Sequence, residues 1–271
     1  MMKKTTILLL IFLTGCTKFM VDIRKDNHWL VKEKGNIVVY YRPSGTAEAP
    51  APTTRQAEKI ADNQNRYLQD LNDTLHLNFN EKVLVYLFNQ SEAKELIGTD
   101  GGGHAVPDVN SFYFTFINLG FFDGVDTAYI GSHELVHVVT HKLLGLPGTR
   151  MMSEGYAVAL STGYGYTYDN DSGIIRKSID RWMQQYYAEE RILSPYGLLN
   201  QADLPERIFY PNAGSFVRYL INQYGTIRVN KLFPVEKNAF DKACKEFLNK
   251  DLSTIADDYR IYCNHRYGPQ N

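Results

Sequence analysis

The stretch "SHELVHVVTHKL", Ser132–Leu143, is apolar apart from three histidines, one glutamate and a few small polar groups. An α-helix sets residues four apart about 40° around its axis and about 6 Å along it. On that spacing His133 and His137 can both aim an imidazole nitrogen at one tetrahedral ion, at about 2.0–2.1 Å each. Glu134 lies about 100° round from His133, beside the ion rather than behind it. From there its carboxylate can hold a water and take its proton, so His-Glu-x-x-His supplies two ligands and a base. His141 is about 12 Å along the axis from His133, too far for one ion to bridge all three. It reads as a helix-end or core histidine. On the motif alone, a half-buried helix with paired histidines is the competing reading.

A mononuclear catalytic zinc needs a third protein ligand and leaves a fourth position to water. Downstream stands "MMSEGYAVAL", Met151–Leu160, with Glu154 at the expected start of a helix beyond the Gly145–Pro147 turn. A helix–turn–helix of this length brings that first turn back beside the first helix. The bland alternative is an exposed glutamate supporting the helix dipole.

Together, "SHELVHVVTHKLLG", "MMSEGYAVAL" and "YPNAGSFVRYLINQYG" resemble the gluzincin branch of the zincin metallopeptidases, over about Phe112 to Phe233. The resemblance implies an α+β, zincin-like fold: a small mixed sheet followed by a mainly helical part carrying the metal site. It implies Zn2+ held by His133, His137 and Glu154, with Glu134 as general base. In related enzymes a tyrosine or histidine after the third ligand stabilises the oxyanion. Tyr210, expected just before the "NAGSFVRYL" helix, is the best-placed candidate, a packing role beside Pro211 is its alternative, and Tyr156 is a weaker candidate. The family also uses an edge strand to pair with an extended peptide, and "SFYFTFIN", Ser111–Asn118, stands where that strand should be. Two features depart from the pattern. Thermolysin-like enzymes carry an aspartate four residues beyond the ligand glutamate, where this chain has Val158, and no exopeptidase glycine motif can be placed.

The N-terminus, "MMKKTTILLLIFLTGC", has two lysines, an apolar run Ile7–Leu13 and a small-residue approach to Cys16. The run is shorter than the ~20 residues a spanning helix needs. It reads as a lipoprotein signal peptide over residues 1–15, with Cys16 lipidated and residues 16–34 a tether. A plain secretory signal is the alternative. The expected protein is thus anchored to a membrane of the bacterial cell envelope by its lipid, facing away from the cytoplasm. Cys244 and Cys263 then remain, an even number in an oxidising compartment, and a disulfide between their two helices is expected over two buried thiols.

A net charge of −1 over 271 residues gives no reason to expect nucleic acid. Residues 35–125 read as an α/β part, with strands in "NIVVYY" (Asn36–Tyr41), "KVLVYLF" (Lys82–Phe88) and Ser111–Asn118 and a long amphipathic helix before the second. Gly101–Gly103 reads as a mobile connection. Residues 126–271 read as helical, with Asp126 a candidate N-cap, "GYGYTY" (Gly163–Tyr168) a loop, and a helix beginning at Gly173. The expected substrate is a peptide or protein. A non-enzymatic lipoprotein whose zinc site stabilises a binding module, and a metalloenzyme acting on a non-peptide bond, are the two rivals.

Overall fold

The computed structural model describes residues 28–42, 51–97, 102–116, 131–161, 166–169, 173–176, 178–201 and 203–269. The signal peptide, Cys16 and Asp126 lie outside them. The fold is α+β, and the chain forms two compact units: Met1–Arg66 with Asn80–Ile130, and Tyr67–Phe79 with Gly131–Asn271.

The first unit is built on a five-stranded mixed sheet. Its strands are β1 (Leu30–Lys34), β2 (Ile37–Tyr41), β3 (Val83–Phe88), β4 (Gly103–Val106) and β5 (Ser111–Thr115), in the order β1-β2-β3-β5-β4. β2, β3 and β5 run parallel, and β1 and β4 flank them antiparallel. The β-branched and aromatic runs of β2 and β3 are buried, as parallel strands covered on both faces must be. On one face Tyr40 stacks on Tyr86 at 4.8 Å, and Trp29 meets Tyr86 and Phe88 edge-on. Arg42 lies over Trp29 and pairs with Glu92 of helix α2 (Gln90–Ile97). Helix α1 (Thr54–Leu75) begins against the other face, where Tyr41 donates to Thr54 Oγ1 at 3.0 Å and Lys32 pairs with Glu58 at 2.6 Å. Gly35, at φ +54° between β1 and β2, has no room for a Cβ, which would sit 2.1 Å from Asn65 Oδ1.

The second unit is mainly helical. It holds α3 (His133–Leu144), α4 (Arg150–Leu160), α5 (Ile179–Ala188), α6 (Pro195–Asn200), α7 (Glu206–Tyr224), α8 (Thr226–Asn230), α9 (Phe240–Leu248) and α10 (Leu252–Tyr267). A hairpin of β6 (Tyr166–Asp169) and β7 (Gly173–Arg176) interrupts them. α4 and α7 cross closely because each has a glycine at the contact. A Cβ on Gly155 would lie 2.5 Å from Val217 Cγ2, and one on Gly214 would lie 2.3 Å from Val158 Cγ1. Pro211 sits inside α7 and removes the amide that would bond the Arg207 carbonyl. The Tyr186 hydroxyl of α5 donates to that carbonyl instead. Asp180 of α5 accepts from Arg218 of α7 and from Arg266 of α10, joining three helices. Among the described residues no helix is long and apolar enough to cross a membrane.

Several expectations are corrected. Leu30–Lys34, expected in the tether, forms β1, since its pairing with β2 satisfies its backbone. Ser111–Thr115 is not an edge: β5 is bonded on both sides, and β4 lies outside it. Gly103, expected in a mobile connection, opens that outer strand. Tyr166–Tyr168 belongs to β6 rather than a loop, and Gly173–Arg176 is a strand. The helix after it starts at Ile179, where the Ser178 side chain caps it by accepting from the Arg181 amide.

Cys244 and Cys263 are not joined; both are free and buried. The helix pair is closed instead by polar caps, with Asp241 accepting from the Leu252 amide at 2.7 Å and Asp251 from the Thr254 amide at 2.8 Å. Burial pushes both thiols up to about 12. In the native protein both should therefore resist alkylation at neutral pH and both should react after denaturation without reductant. Intact-mass analysis reads this directly, and loss of two protons without alkylation would restore the disulfide.

The α4–α7 crossing gives a second expectation. Gly155→Ala and Gly214→Ala should each destabilise the protein by about 1–3 kcal/mol through overpacking, read as a lower urea midpoint. A wild-type midpoint in both would mean that the two helices separate freely.

Candidate metal centre

α3 exposes little of its length: Leu135, Val136, Val138, Val139 and Thr140 are fully buried, and the Thr140 hydroxyl is satisfied by the Val136 carbonyl at 2.7 Å. The helix starts at His133 with Ser132 as N-cap, so the motif occupies its first two turns. α4 starts earlier than the sequence suggests, at Arg150, because the Thr149 side chain accepts from the Met152 amide. Glu154 is therefore in the second turn, not at the helix start. It is also not an exposed dipole partner, with its side chain only 17% accessible.

The structure brings His133, His137 and Glu154 together. Their ligand atoms lie within 4.8 Å of one another, the one such group of three among the described residues. The two Nε2 atoms are 3.2 Å apart, and Glu154 Oε2 is 3.4 Å from each. Ligands at about 2.0–2.1 Å in tetrahedral geometry would stand about 3.3 Å apart. Three candidate ligand atoms are thus spaced as a tetrahedral cation would hold them. Burial opposes the charge on Glu154, but hydrogen bonds and charge from the two imidazoles outweigh it and hold the carboxyl well below the usual range. The donor set, two imidazoles and a carboxylate, fits a divalent ion of intermediate softness.

Glu134 is half-buried in the first turn of α3, where the helix dipole favours its negative charge. His141 stays outside the group, packed edge-on between His137 at 5.7 Å and Phe233 at 6.0 Å.

Tyr210 lies within α7 rather than before it; Pro205 is the residue that begins the helix. Its ring stacks on His133 at 5.7 Å with 17° between planes. Burial, then the charge of Glu154, pushes its phenol above the ordinary value, so it remains a proton-bearing donor at neutral pH. Tyr156 is fully buried and faces elsewhere, donating to Asn230 Oδ1 at 2.9 Å. The Asn230 amide in turn bonds the Leu75 carbonyl at 3.2 Å, so Tyr156 serves the core.

Sequence reasoning missed two neighbours. Ser153 Oγ stands 3.5 Å from His137 Nδ1, where it can hold the ring with Nε2 turned to Glu154. Its position beside Glu154 in "SEG" was the available signal. Arg150 lies over the rings of Phe209 and Tyr210. A scan against protein-family models finds no match to this chain, and a search of curated proteins finds no similar one.

His133→Ala and Glu154→Ala should each lower zinc affinity strongly, because each removes one of three ligands. His141→Ala should leave it unchanged. Elemental analysis after dialysis against limiting zinc tests both, and full occupancy in the Glu154 variant would place the third ligand elsewhere.

Proposed function

We propose that this protein is a zinc-dependent peptidase of gluzincin type, carried on the outer side of a bacterial membrane by lipid on Cys16. The observation that carries the reading is the convergence of His133, His137 and Glu154 at tetrahedral spacing, on a helix whose first turn also carries Glu134, which is not one of the three. A site built only for stability has no use for that second acidic group. His133, His137 and Glu154 would hold the zinc, which when bound supplies a Lewis acid for the scissile carbonyl and makes a nearby water more acidic.

The chain's own groups account for the remaining chemistry. Glu134 takes a proton from the attacking water as its oxygen adds to the peptide carbonyl carbon. The same carboxyl then gives that proton to the departing amine as the carbon–nitrogen bond breaks. Tyr210, protonated and stacked on His133, donates to the oxygen on which negative charge develops. Ser153 keeps the His137 ring in register. The N-terminal sequence supports the location: a short apolar run, a small-residue approach and a cysteine.

The test separates an enzyme from a zinc-stabilised binding module. Glu134→Gln should keep zinc at wild-type stoichiometry while hydrolysis of a quenched-fluorescent peptide library falls by about 10² or more. Tyr210→Phe should lower kcat by about 10²-fold with little change in KM, since its hydroxyl acts mainly on the transition state. A Glu134→Gln protein with full activity would end the peptidase reading.

A further inference from the structure

α4 begins with a cation where a helix favours an anion. Arg150 is its first residue, and no acidic residue stands in the first turn. Macrodipole repulsion of this kind works against the helix, so another interaction must hold the side chain there. Three contacts do. The guanidinium carbon lies 4.3 Å from the Phe209 ring centre and 5.6 Å from that of Tyr210. Nη1 donates to the Leu204 carbonyl at 3.2 Å, in the segment that leads into α7. Its positive charge also offsets part of the negative field of Glu154 on the Tyr210 phenol. Being four residues before Glu154, Arg150 lies on the same stripe of α4 as the third ligand.

We infer that Arg150 is a positioning residue, whose planar fork spans the Leu204 carbonyl and Tyr210 and so fixes the Tyr210 hydroxyl beside the metal centre. The inference rests on the peptidase reading and on the role given there to Tyr210. Its basis is geometric. The entry of α7 is held to α4 by the glycine crossing one to two turns further on, at Gly155 and Gly214, but nothing in that crossing orients the Tyr210 side chain. Arg150 reaches both the backbone before the helix and the ring itself. Lysine, a flexible point charge with no planar fork, could not hold both at once.

A double-mutant cycle tests this on the full protein loaded with zinc, using the peptide from the quenched-fluorescent library that is cleaved fastest. Arg150→Ala and Arg150→Lys should both retain zinc and lower kcat by about 10- to 100-fold with KM little changed. In the Tyr210→Phe background the same substitutions should change kcat less than about twofold, because the group they position is gone. A merely structural Arg150 would depress both backgrounds alike. Losses that multiply across the cycle therefore overturn the inference while leaving Tyr210 its role. A raised KM with unchanged kcat also overturns it, since Arg150 would then touch the substrate. If Tyr210→Phe alone is fully active, the role of Tyr210 falls and the inference with it; if the wild type cleaves no peptide, the peptidase reading itself has failed. Should Arg150→Ala unfold, Arg150→Lys, which keeps the aliphatic stem over Phe209, carries the cycle.

Discussion

The closeness of α4 to α7 sets the geometry on which the candidate centre depends. Glycines at 155 and 214 remove the side chains that would hold the two helices apart. Glu154 is the residue before Gly155, and Tyr210 is one turn before Gly214. The contact that admits no Cβ thus also fixes how far the third ligand stands from the stacked tyrosine. α7 accepts a proline in its body at this point only because a second helix lends the Tyr186 hydroxyl to the freed Arg207 carbonyl. Asn212, fully buried, adds to the same region by accepting from the Leu193 amide at 2.8 Å and donating to the Ile208 carbonyl at 2.9 Å. The segment bearing Tyr210 is therefore held by hydrogen bonds on one side and by close packing on the other.

Polar atoms of the second unit divide into two kinds. In the buried cluster of Ser215, Tyr259 and Tyr267, hydroxyls bond one another at 2.9 and 3.0 Å, and Arg218 donates to Tyr267 at 3.1 Å. That network is closed, donor to acceptor, and serves the packing of α7 on α10. At the metal centre the pattern is different. Nε2 of His133, Nε2 of His137 and Oε2 of Glu154 face one another at 3.2–3.4 Å, each able to serve as a ligand atom.

The sequence made the grouping of His133, His137 and Glu154 legible because helix geometry is local. Four-residue spacing alone puts His133 and His137 together and leaves His141 behind. Glu154 needed one further step, the return of a helix after a short turn. The strands Ile37–Tyr41 and Val83–Phe88 were visible for a similar reason, as β-branched runs need no partner to be recognised. What was misread depends on pairing or on long-range contacts. Leu30–Lys34 looks polar because it is an outer strand whose side chains are largely exposed, and only its bonds to β2 reveal it. Ser111–Thr115 reads as a strand, but its interior place depends on the short, glycine-led β4 beside it, which has little strand character of its own. The two cysteines sit on neighbouring helices, yet each thiol is turned into its own surroundings, and rotation about a helix axis is not written in spacing between helices.

Val158 brings these strands of reasoning to the support of the ligands. In thermolysin-like enzymes an aspartate stands at this place, four residues beyond the ligand glutamate, and steadies a histidine. Here the position is fully buried and its side chain fills the gap left by Gly214, with Ala159 and Ala213 close by. A carboxylate there would meet an apolar contact and no donor, at a penalty of several kcal/mol for a buried unpaired charge. The tight crossing and the aspartate are thus alternatives at one position, and this chain has taken the crossing. Orientation of the histidines must then come from other residues of α4 and α7. Ser153 is within reach of His137 Nδ1, and Tyr210 lies flat against the His133 ring. A neutral hydroxyl and an aromatic face thus stand beside the two imidazoles, and Glu154 is the one acidic group of α4 near them.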